Sequence, residues 1–503
     1  MKLYLAIAIV AAFSSTLADQ TSEQAPIQAP QRPTIELLED IPVPAAQPIP
    51  GPAAQPDSIP ADSIPALTPL QRRFPGHGGE AIDDKSVTGV YFMTNLNTSG
   101  AGSLAAAPSN AYIVPLVAGE IKSDTTILMA QNNVRFLGQL APGRISIDGS
   151  TVFNREPLVE FRGSNALWEY LTLKAGDVNL TEGKNISHSP FTVRRGAVGV
   201  VMANVSVYYG DDDSGSTWDP GTSDVTFYRM LIALAADRGA LGGNVDYGML
   251  SGGGSANITY FQNLFVTDGR APLMQNTTGQ VDNNITYTTT GVTNQLMANF
   301  SNGAIPNAQY NYTNNLDIRP AGGISNVWLA QRNTQNPWTH TLEAYVDNNN
   351  YRTCTGGYNP MGTATTTSFN DAGADVSGLI VNSPFSMPIL PSITDPTILE
   401  STLIPVVGNS LYRDSIDTDV ISIVSSCGSK PNETSASNYY SNPWPKGPTK
   451  APINIWDTTS PDGLSDSAKA VFGLPPGTNL LSPNDGRWEA VVQYHTGLLK
   501  IGQ

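Results

Sequence analysis

The chain has 503 residues, including 46 glycines and 38 prolines, with 14% charged residues and a formal net charge of −16. This length allows one large elongated domain with a sizeable core and flanking segments. The negative charge argues against nucleic acid or an anionic membrane surface as a partner, because both bind through basic residues.

The N-terminus has the pattern of a secretory signal peptide over residues 1–18. Lys2 precedes an apolar run, and a small-residue site ends at Ala18. The run is too short for a transmembrane helix, and no later stretch is long and apolar enough to span a bilayer. We therefore expect a secreted, extracellular protein with no membrane partner.

Residues 19–73 are rich in Pro, Ala and Gln. Such a composition cannot bury enough apolar surface to fold, so we expect an extended linker or pro-segment. Arg72 and Arg73 end it. They are either a processing site or two solvated arginines, and both interpretations stay open.

Short apolar strands follow, separated by Gly, Asp, Asn and Ser. Representative strands are VVMANVSVYY from Val200, ITYFQNLFV from Ile258 and QVDNNITY from Gln280. Strands of this kind cannot bury a face alone and must stack on neighbours. The pattern predicts a parallel β-solenoid.

An Asn recurs where one strand passes to the next, at Asn204, Asn263 and Asn284. Asn tolerates the left-handed conformation of a sharp bend, and its amide can bond to the Asn of the next coil. Because these amides should face inward, we expect Asn204 and Asn284 to be unmodified although both lie in glycosylation sequons.

The other sequons suggest a eukaryotic secretory route and are predicted to be glycosylated. They are at Asn97, Asn179, Asn185, Asn257, Asn276, Asn299, Asn311 and Asn432. Cys354 and Cys427, the only cysteines, are expected to pair in an oxidising compartment and to contribute about 3–4 kcal/mol. The alternative is two separate buried thiols.

Eight motifs in order make the chain resemble the pectate lyase group of polysaccharide lyase family one. They are FPGHGGE (74–80), TNLNTSGAGSL (94–104), GQLAPGRISIDG (138–149), VSVYYGDDD (205–213), ITYFQNLF (258–265), GRAP (269–272), NNITY (283–287) and YRDSIDTDV (412–420). The resemblance implies an all-β, right-handed parallel β-helix over residues 74–420. It also implies cleavage of an acidic uronate polysaccharide by calcium-assisted β-elimination.

Residues 421–503 are predicted to be a tail that caps the open end of the solenoid. Within it, residues 456–466 are similar to the acidic calcium-binding tail of some members of the group. Thr459, Ser460 and Pro461 interrupt the alternating Asp residues of that pattern. A capping role is therefore favoured over a bound calcium.

The resemblance places Arg270 at the catalytic base, which removes the proton next to the sugar carboxylate. Guanidinium normally stays protonated, so a base role needs surroundings that disfavour its charge. The second arginine of the motif, which holds substrate, is replaced by Gln275. Asp246 and Tyr247 stand where a cationic residue often faces the cleft, and Asp246 is a further substrate-binding candidate.

The calcium ligands of the group are largely missing. Its Asp-His pair falls on Ala203 and Asn204, and an upstream Asp falls on Pro190 or Phe191. Three adjacent carboxylates remain as the predicted metal site, and two further oxygen donors could complete it. The three are Asp211, Asp212 and Asp213, and the two are Asp177 and Asp219. The alternative is a solvated acidic turn.

Aromatic residues near this turn could stack against sugar rings, with packing against loops as the alternative. They are Tyr208, Tyr209 and Trp218, of which Tyr209 is the preferred substrate contact. The losses of ligands leave a second function open, a catalytically inactive relative that binds polysaccharide or forms part of an extracellular matrix or fibre. A hydrolase on the same fold has no local motif to support it.

Overall fold

The computed structural model describes residues 74–83, 86–141, 143–149, 157–175, 189–210, 213–235, 247–275, 278–288, 295–299, 308–320, 322, 325–332, 342–366, 379–428 and 466. The predicted signal peptide, the linker before Phe74 and nearly all of the tail after Gly428 lie outside these residues.

The described chain consists mainly of short strands. In chain order they are β1 (Gly89–Met93), β2 (Ala111–Pro115), β3 (Gly119–Lys122), β4 (Ile127–Met129), β5 (Val134–Leu137), β6 (Ile145–Gly149), β7 (Val159–Phe161), β8 (Ala166–Glu169), β9 (Leu171–Ala175), β10 (Phe191–Val193), β11 (Val198–Ala203), β12 (Ser206–Tyr208), β13 (Asp213–Thr217), β14 (Ser223–Tyr228) and β15 (Leu231–Ala233). They continue with β16 (Tyr247–Ser251), β17 (Ala256–Phe261), β18 (Leu264–Val266), β19 (Leu273–Met274), β20 (Thr278–Asp282), β21 (Ile285–Tyr287), β22 (Gln295–Asn299), β23 (Ala308–Thr313), β24 (Leu316–Arg319), β25 (Asn326–Arg332), β26 (Leu342–Asp347), β27 (Asn350–Thr353), β28 (Tyr358–Pro360) and β29 (Gly362–Thr366).

Successive strands pass in turn through three sheets and so form a parallel β-helix. Sheet 1 has the order β1-β2-β5-β8-β11-β14-β17-β20-β23-β26, sheet 2 has β3-β6-β9-β12-β15-β18-β21-β24-β27-β28, and sheet 3 has β4-β7-β10-β13-β16-β19-β22-β25-β29. Paired strands are parallel except β27 and β28, which are antiparallel. The prediction of a right-handed parallel β-helix is confirmed, with the handedness that parallel crossovers adopt.

At the bends between sheets 1 and 2, two adjacent residues share the roles that the sequence analysis predicts for a single asparagine. One residue adopts the left-handed conformation, and the other bonds to the Asn of the next coil. The left-handed residue comes first, as at Asn204 (φ 55°) and Asn283 (φ 54°). The residue after it can join a ladder of buried amides that stack from coil to coil. The ladder runs Asn263–Asn284–Asn315–Asn349, with Nδ2 to Oδ1 distances of 2.9, 3.0 and 2.9 Å. Asn204 therefore takes the left-handed position and not the ladder position.

The bore of the solenoid is filled by apolar and aromatic side chains in register. Phe227 and Tyr260, on paired strands β14 and β17, stack with ring centroids 5.0 Å apart. Phe161 on β7 and Trp168 on β8, the next strand along the chain, have ring centroids 4.9 Å apart. Such aromatic contacts add to the burial of apolar area and fix the stacking of neighbouring coils.

The helices lie on the outside of the sheets. They are α1 (His77–Ala81), α2 (Leu399–Leu403) and α3 (Ser415–Ser426), with short 3₁₀ turns at Leu104–Ala106, Gly138–Leu140, Pro396–Ile398 and Ser410–Tyr412. The apolar face of α3 packs on sheet 2, and the predicted disulfide Cys354–Cys427 forms at its C-terminal end. The expected boundary at residue 420 falls inside α3. No helix among the described residues is long and apolar enough to cross a bilayer.

Helix α1 seals His77 against sheet 1. A side chain at Gly78 or Gly79 would collide with the backbone of Val200 or Phe74, which explains the paired glycines of the first motif. The ring Nδ1 of His77 lies 2.8 Å from Thr259 Oγ1.

The pKa of His77 predicts a loss of stability in mild acid. Burial lowers this pKa from 6.5 to about 4, against a smaller opposing effect of Asp224. The unfolded chain therefore takes up the proton first, and stability present above pH 6.5 is lost as the pH falls toward about 4. The loss attributable to His77 is about 3 kcal/mol.

The variant His77→Asn carries no titrating ring, so its unfolding free energy should vary less between about pH 7 and pH 4. Urea unfolding of both proteins across this range measures the difference. An unchanged pH dependence in the variant would show that His77 does not contribute.

Candidate functional site

Arg270 lies at the bend between β18 and β19, where the chain passes from sheet 2 to sheet 3. Its guanidinium reaches across two earlier coils at their entry to sheet 3, where β13 begins with Asp213 and β16 begins with Tyr247. Arg270 Nη1 donates to Asp213 Oδ1 at 2.6 Å, and the guanidinium carbon lies 3.9 Å from the centroid of the Tyr247 ring. Parallel pairing of Asp213 with Tyr247 brings these groups together.

Both contacts stabilise the charged form of Arg270. The Asp213 side chain is only 8% exposed and that of Arg270 is 23% exposed, so the ion pair is partly shielded from water. The aromatic face of Tyr247 adds a cation–π attraction. In this arrangement Arg270 is a cation that already holds a carboxylate.

A row of residues lies on the outer face of sheet 3, at the C-terminal ends of its strands. Residues in register there are Arg162, Arg194, Trp218, Gly252 and Gln275, which we call the outer row. Each of their backbone N–H groups donates to the preceding coil, at 2.8, 3.0, 3.0, 3.0 and 2.6 Å respectively. The residues just before them face the bore, so alternation along each strand turns the outer row outward.

Arginines gather around one buried carboxylate at the start of the outer row. Glu160 Oε1 accepts from Nε of Arg162 at 2.7 Å and from Nε of Arg194 at 2.6 Å. Glu160 Oε2 accepts from the Nη2 atoms of the same arginines at 2.8 and 3.0 Å. Arg195 Nε lies 3.6 Å from Oε1. Burial acts to raise the pKa of Glu160, but the hydrogen bonds from Arg162 and Arg194 outweigh it and hold the pKa at about 2.

Trp218 follows these arginines on the next coil. It is partly exposed, and its indole lies on the backbone of Gly252 and Gly253, where any Cβ would come within 2.7 Å of the ring. Glycine is required at both positions because the ring occupies the space that a side chain would take.

The strip of sheet 3 between Arg270 and the outer row carries hydroxyls. Thr192 and Ser216 pair across β10 and β13, with their Oγ atoms 3.0 Å apart. This strip therefore offers polar, uncharged groups between Arg270 and the arginines around Glu160.

The other candidate residues lie in different surroundings. Gln275 is in the outer row. Tyr209 is 1% exposed and packs in the cluster beneath α3, and Tyr208 donates to Asp417 Oδ1 at 2.5 Å. Both rings are therefore packed inside the protein, and neither has a face open to a sugar ring at the surface. Asp211, Asp212 and Asp246 lie outside the described residues.

The described residues do not make a calcium site. Two of the predicted carboxylates, Asp213 and Asp219, are among them: Asp213 Oδ1 accepts from Arg270 Nη1, and Asp219 Oδ2 accepts from the backbone N–H of Arg195 at 3.3 Å. Asp177, like Asp211 and Asp212, lies outside the described residues. Ala203 has no side-chain oxygen, and the Asn204 amide donates to Val406 O at 2.6 Å. Within the described ranges, no three acidic, His or Cys side chains converge as a metal-binding group.

The structure also bears on the sequons. Asn284 is bonded within the ladder and is 1% exposed, while Asn204 is 7% exposed, so both side chains are buried; that they are unmodified stays a prediction. Asn97 is exposed. The amides of Asn257 and Asn311 are engaged with Asp224 and Phe385. Asn179, Asn185, Asn276 and Asn432, and the side chain of Asn299, lie outside the described residues.

Sequence reasoning missed the Glu160 cluster, although a signal was present. The segments EFRG (160–163) and TVRRG (192–196) both place Arg and Gly directly after a short strand, one coil apart. In a solenoid this repetition stacks the arginines.

The fold and this arginine-bearing face define a parallel β-helix protein with arginines on the outer face of sheet 3. The chain is similar to curated proteins named probable pectate lyase C. That of Neosartorya fischeri is 26% identical over 406 residues, which cover 80% of this chain and 87% of the relative. That of Aspergillus terreus is 26% identical over 410 residues with the same coverage. The resemblance to pectate lyases is thus confirmed as a divergent one. No family profile matches the chain.

Solved structures with a similar fold include a cedar pollen allergen and a bacterial lyase. The allergen jun a 1 has a TM-score of 0.44 and 11% identity, and the match covers 66% of this chain and 92% of the allergen. The pectate lyase Bsp165PelA from Bacillus sp. N165, solved with trigalacturonate, has a TM-score of 0.38 and 11% identity, with 67% and 99% covered.

Proposed function

We propose that this pectate-lyase-like protein is secreted and binds an acidic uronate polysaccharide at the entry edge of sheet 3, without cleaving it. The observation that carries the proposal is the ion pair between Arg270 and Asp213. A uronate carboxylate has the same chemistry as the Asp213 side chain. It can therefore compete for the same guanidinium through charge-assisted hydrogen bonds.

Arg270 matters for binding a polyanion because the protein as a whole is negatively charged. An acidic chain repels a polyanion at long range, so binding needs local cations. Arg270 supplies such a cation, and Tyr247 holds its guanidinium plane in place. A partly exposed side chain is also accessible to a polymer that lies along the surface.

A second candidate function is cleavage by β-elimination with Arg270 as base. The GRAP motif and the names of the curated relatives favour it. The base must be neutral when it takes the sugar proton, and both Asp213 and Tyr247 stabilise its protonated form. The geometry therefore supports binding better than turnover. Calcium held by Asp211, Asp212 and Asp213 would belong to this second candidate and stays a prediction.

Replacing Arg270 should weaken binding of polygalacturonate. A charge-assisted hydrogen bond is worth about 1.5–3 kcal/mol, so Arg270→Gln should lower the affinity about tenfold or more. Asp213→Asn removes the competing carboxylate at nearly constant shape, and should raise the affinity. Affinity electrophoresis and calorimetry on the purified protein measure both.

The control is Lys122→Ala, which removes an exposed cation on sheet 2 and should leave the affinity unchanged. Ultraviolet absorbance of unsaturated product, with calcium and with chelator, tests turnover. Product that forms with the wild type and is absent with Arg270→Lys would replace the binding proposal by the second candidate. Equal affinities for wild type and Arg270→Gln would remove Arg270 from the site.

A further inference from the structure

We propose that Asn97 carries an N-linked glycan, whereas Asn257 and Asn311 stay unmodified because their amides are built into the fold. The sequence alone treats these three sequons as equivalent. The structure separates them by what each amide binds. This inference rests on the secretion in the proposed function, because N-linked glycans are added on the secretory route.

Asn311 lies on the outer face of sheet 1, where it binds a segment that crosses the sheet. This segment, residues 379–395, belongs to no helix or strand, and we call it the strap. Asn311 Nδ2 donates to Phe385 O at 3.0 Å, and Phe385 N donates to Asn311 Oδ1 at 3.0 Å. The side-chain amide therefore pairs with the strap through the same two groups that a backbone amide uses in a sheet.

A glycan at Asn311 is incompatible with this pairing. An N-linked sugar replaces one hydrogen of the amide nitrogen, and the resulting secondary amide takes the trans form. The sugar then lies on the same side of the planar C–N bond as Oδ1. The hydrogen on that side is the one that Phe385 O accepts, because Oδ1 of the same amide binds the Phe385 N–H. A sugar at Asn311 therefore removes the pairing and occupies the space of the strap.

Side-chain amides hold the strap at other coils as well. Asn283 repeats the paired arrangement, with Nδ2 donating to Ile393 O at 2.8 Å and Oδ1 accepting from Ile393 N at 2.6 Å. Asn348 Nδ2 donates to Thr394 O at 2.6 Å. These amides take the part of a neighbouring strand and satisfy backbone groups of the strap. Asn311 is thus one of a set of structural amides.

Asn257 is engaged at both ends of its amide. Its Nδ2 donates to Asp224 Oδ1 at 2.9 Å, and its Oδ1 accepts from Thr278 Oγ1 at 2.5 Å. Asp224 and Thr278 belong to strands on either side of Asn257 in sheet 1. The amide therefore links three successive coils, and a sugar on Nδ2 would occupy the space between them.

Asn97 has the opposite surroundings. It is exposed in the loop after β1. Its backbone N–H donates to Asn95 Oδ1 at 3.1 Å, while its own amide makes no hydrogen bond with the part of the chain that the structure describes. A glycan at this position extends into solvent and displaces no contact of the fold.

Folding selects the modified sites even though sugars are transferred during synthesis. A chain modified at Asn257 or Asn311 cannot form the contacts described above and stays partly open. Chaperones and proteases remove such chains. The folded, secreted population should therefore carry sugar at Asn97 and none at the other two positions.

Site occupancy is measured on the full chain secreted from a eukaryotic host, by enzymatic removal of N-glycans followed by peptide mass spectrometry. Removal converts a modified Asn to Asp, so the peptide with Asn97 should gain an Asp, while those with Asn257 and Asn311 should keep Asn. An untreated sample is the control for spontaneous deamidation. Sugar at Asn257 or Asn311 in the folded protein, or its absence at Asn97, overturns the proposal.

The variants Asn97→Gln and Asn311→Ala are each other's controls. Asn97→Gln should lose the mass of one glycan and leave the strap intact. Asn311→Ala should keep the full glycan mass, while limited chymotrypsin cleavage after Phe385 becomes about tenfold faster, because the lost hydrogen bonds let the strap open more often. Equal cleavage of the wild type and Asn311→Ala, or a glycan lost from Asn311→Ala, overturns the structural role of Asn311.

The proposed function can fail separately. A secreted chain that carries sugar at Asn97 and does not bind polygalacturonate supports this inference and overturns the proposed binding. A chain that is retained inside the host cell without sugar overturns the secretion on which both rest.

Discussion

Replacing Asp414 by Ala is expected to lower the free energy of unfolding by about 3–5 kcal/mol, because it leaves two buried cations without their shared anion. Asp414 is fully buried and forms ion pairs with Arg144 and with Lys174, whose Nζ lies 3.5 Å from Oδ2. Asp414 also begins α3 as its N-cap, with Oδ1 accepting from Asp417 N at 2.9 Å. The same change therefore removes the cap that starts this helix.

The loss should depend on pH in a defined direction. Burial, then repulsion from Arg144, lowers the pKa of Lys174, and the attraction of Asp414 opposes this. Without Asp414 the pKa of Lys174 falls further, so part of the lost stability should return as the pH rises toward about 10. Thermal and urea unfolding at two pH values measure both effects.

Asp419→Ala is the matched control, since Asp419 is exposed on the same helix and its removal should change stability by less than about 0.5 kcal/mol. Asp414→Asn keeps a capping oxygen without the charge and should lie between the two. Similar stabilities for Asp414→Ala and Asp419→Ala would mean that the ion network does not hold α3 to sheet 2.

The fold could be predicted because its signals are local. Each strand is short, apolar and bounded by turn residues, and the need to stack such strands follows from burial alone. The position of each side chain within a bend was harder to predict. Asn204 and Asn284 look equivalent in the sequence, yet one takes the left-handed position and the other the ladder position. A one-residue offset changes the role, and only the register reveals it.

The candidate site was predicted in part. Resemblance located Arg270, but not its partner, because Asp213 and Arg270 are brought together by coils of unequal length. Counting residues does not give the register when loops between strands vary. The motif at 412–420 shows the opposite case. In the sequence it is one of the motifs that carry the resemblance, and the structure shows that it also begins a helix, since Asp414 and Asp417 form the capping box of α3.

Replacing Asn284 by Ala should lower the free energy of unfolding by about 3–5 kcal/mol, because several buried groups lose their partners together. Asn284 Oδ1 accepts from the backbone N and from Nδ2 of Asn263, both at 2.9 Å. Its own Nδ2 donates to Tyr260 O at 3.0 Å and to Asn315 Oδ1 at 3.0 Å. Each unsatisfied buried polar group costs about 1–3 kcal/mol, and the side chains of the ladder at Asn263, Asn284 and Asn315 are at most 1% exposed.

Asn284→Asp should be nearly as damaging, since a carboxylate accepts hydrogen bonds but cannot donate them to Tyr260. Asn97→Ala, at an exposed position, is the control and should change stability by less than about 0.5 kcal/mol. In a solenoid each coil is stabilised by its neighbours, so the loss should spread from the ladder. Amide hydrogen exchange should accelerate first at Asn263 and Asn315 and only later in distant coils. Uniform acceleration along the chain, or a melting temperature equal to that of Asn97→Ala, would contradict a stabilising role for the ladder.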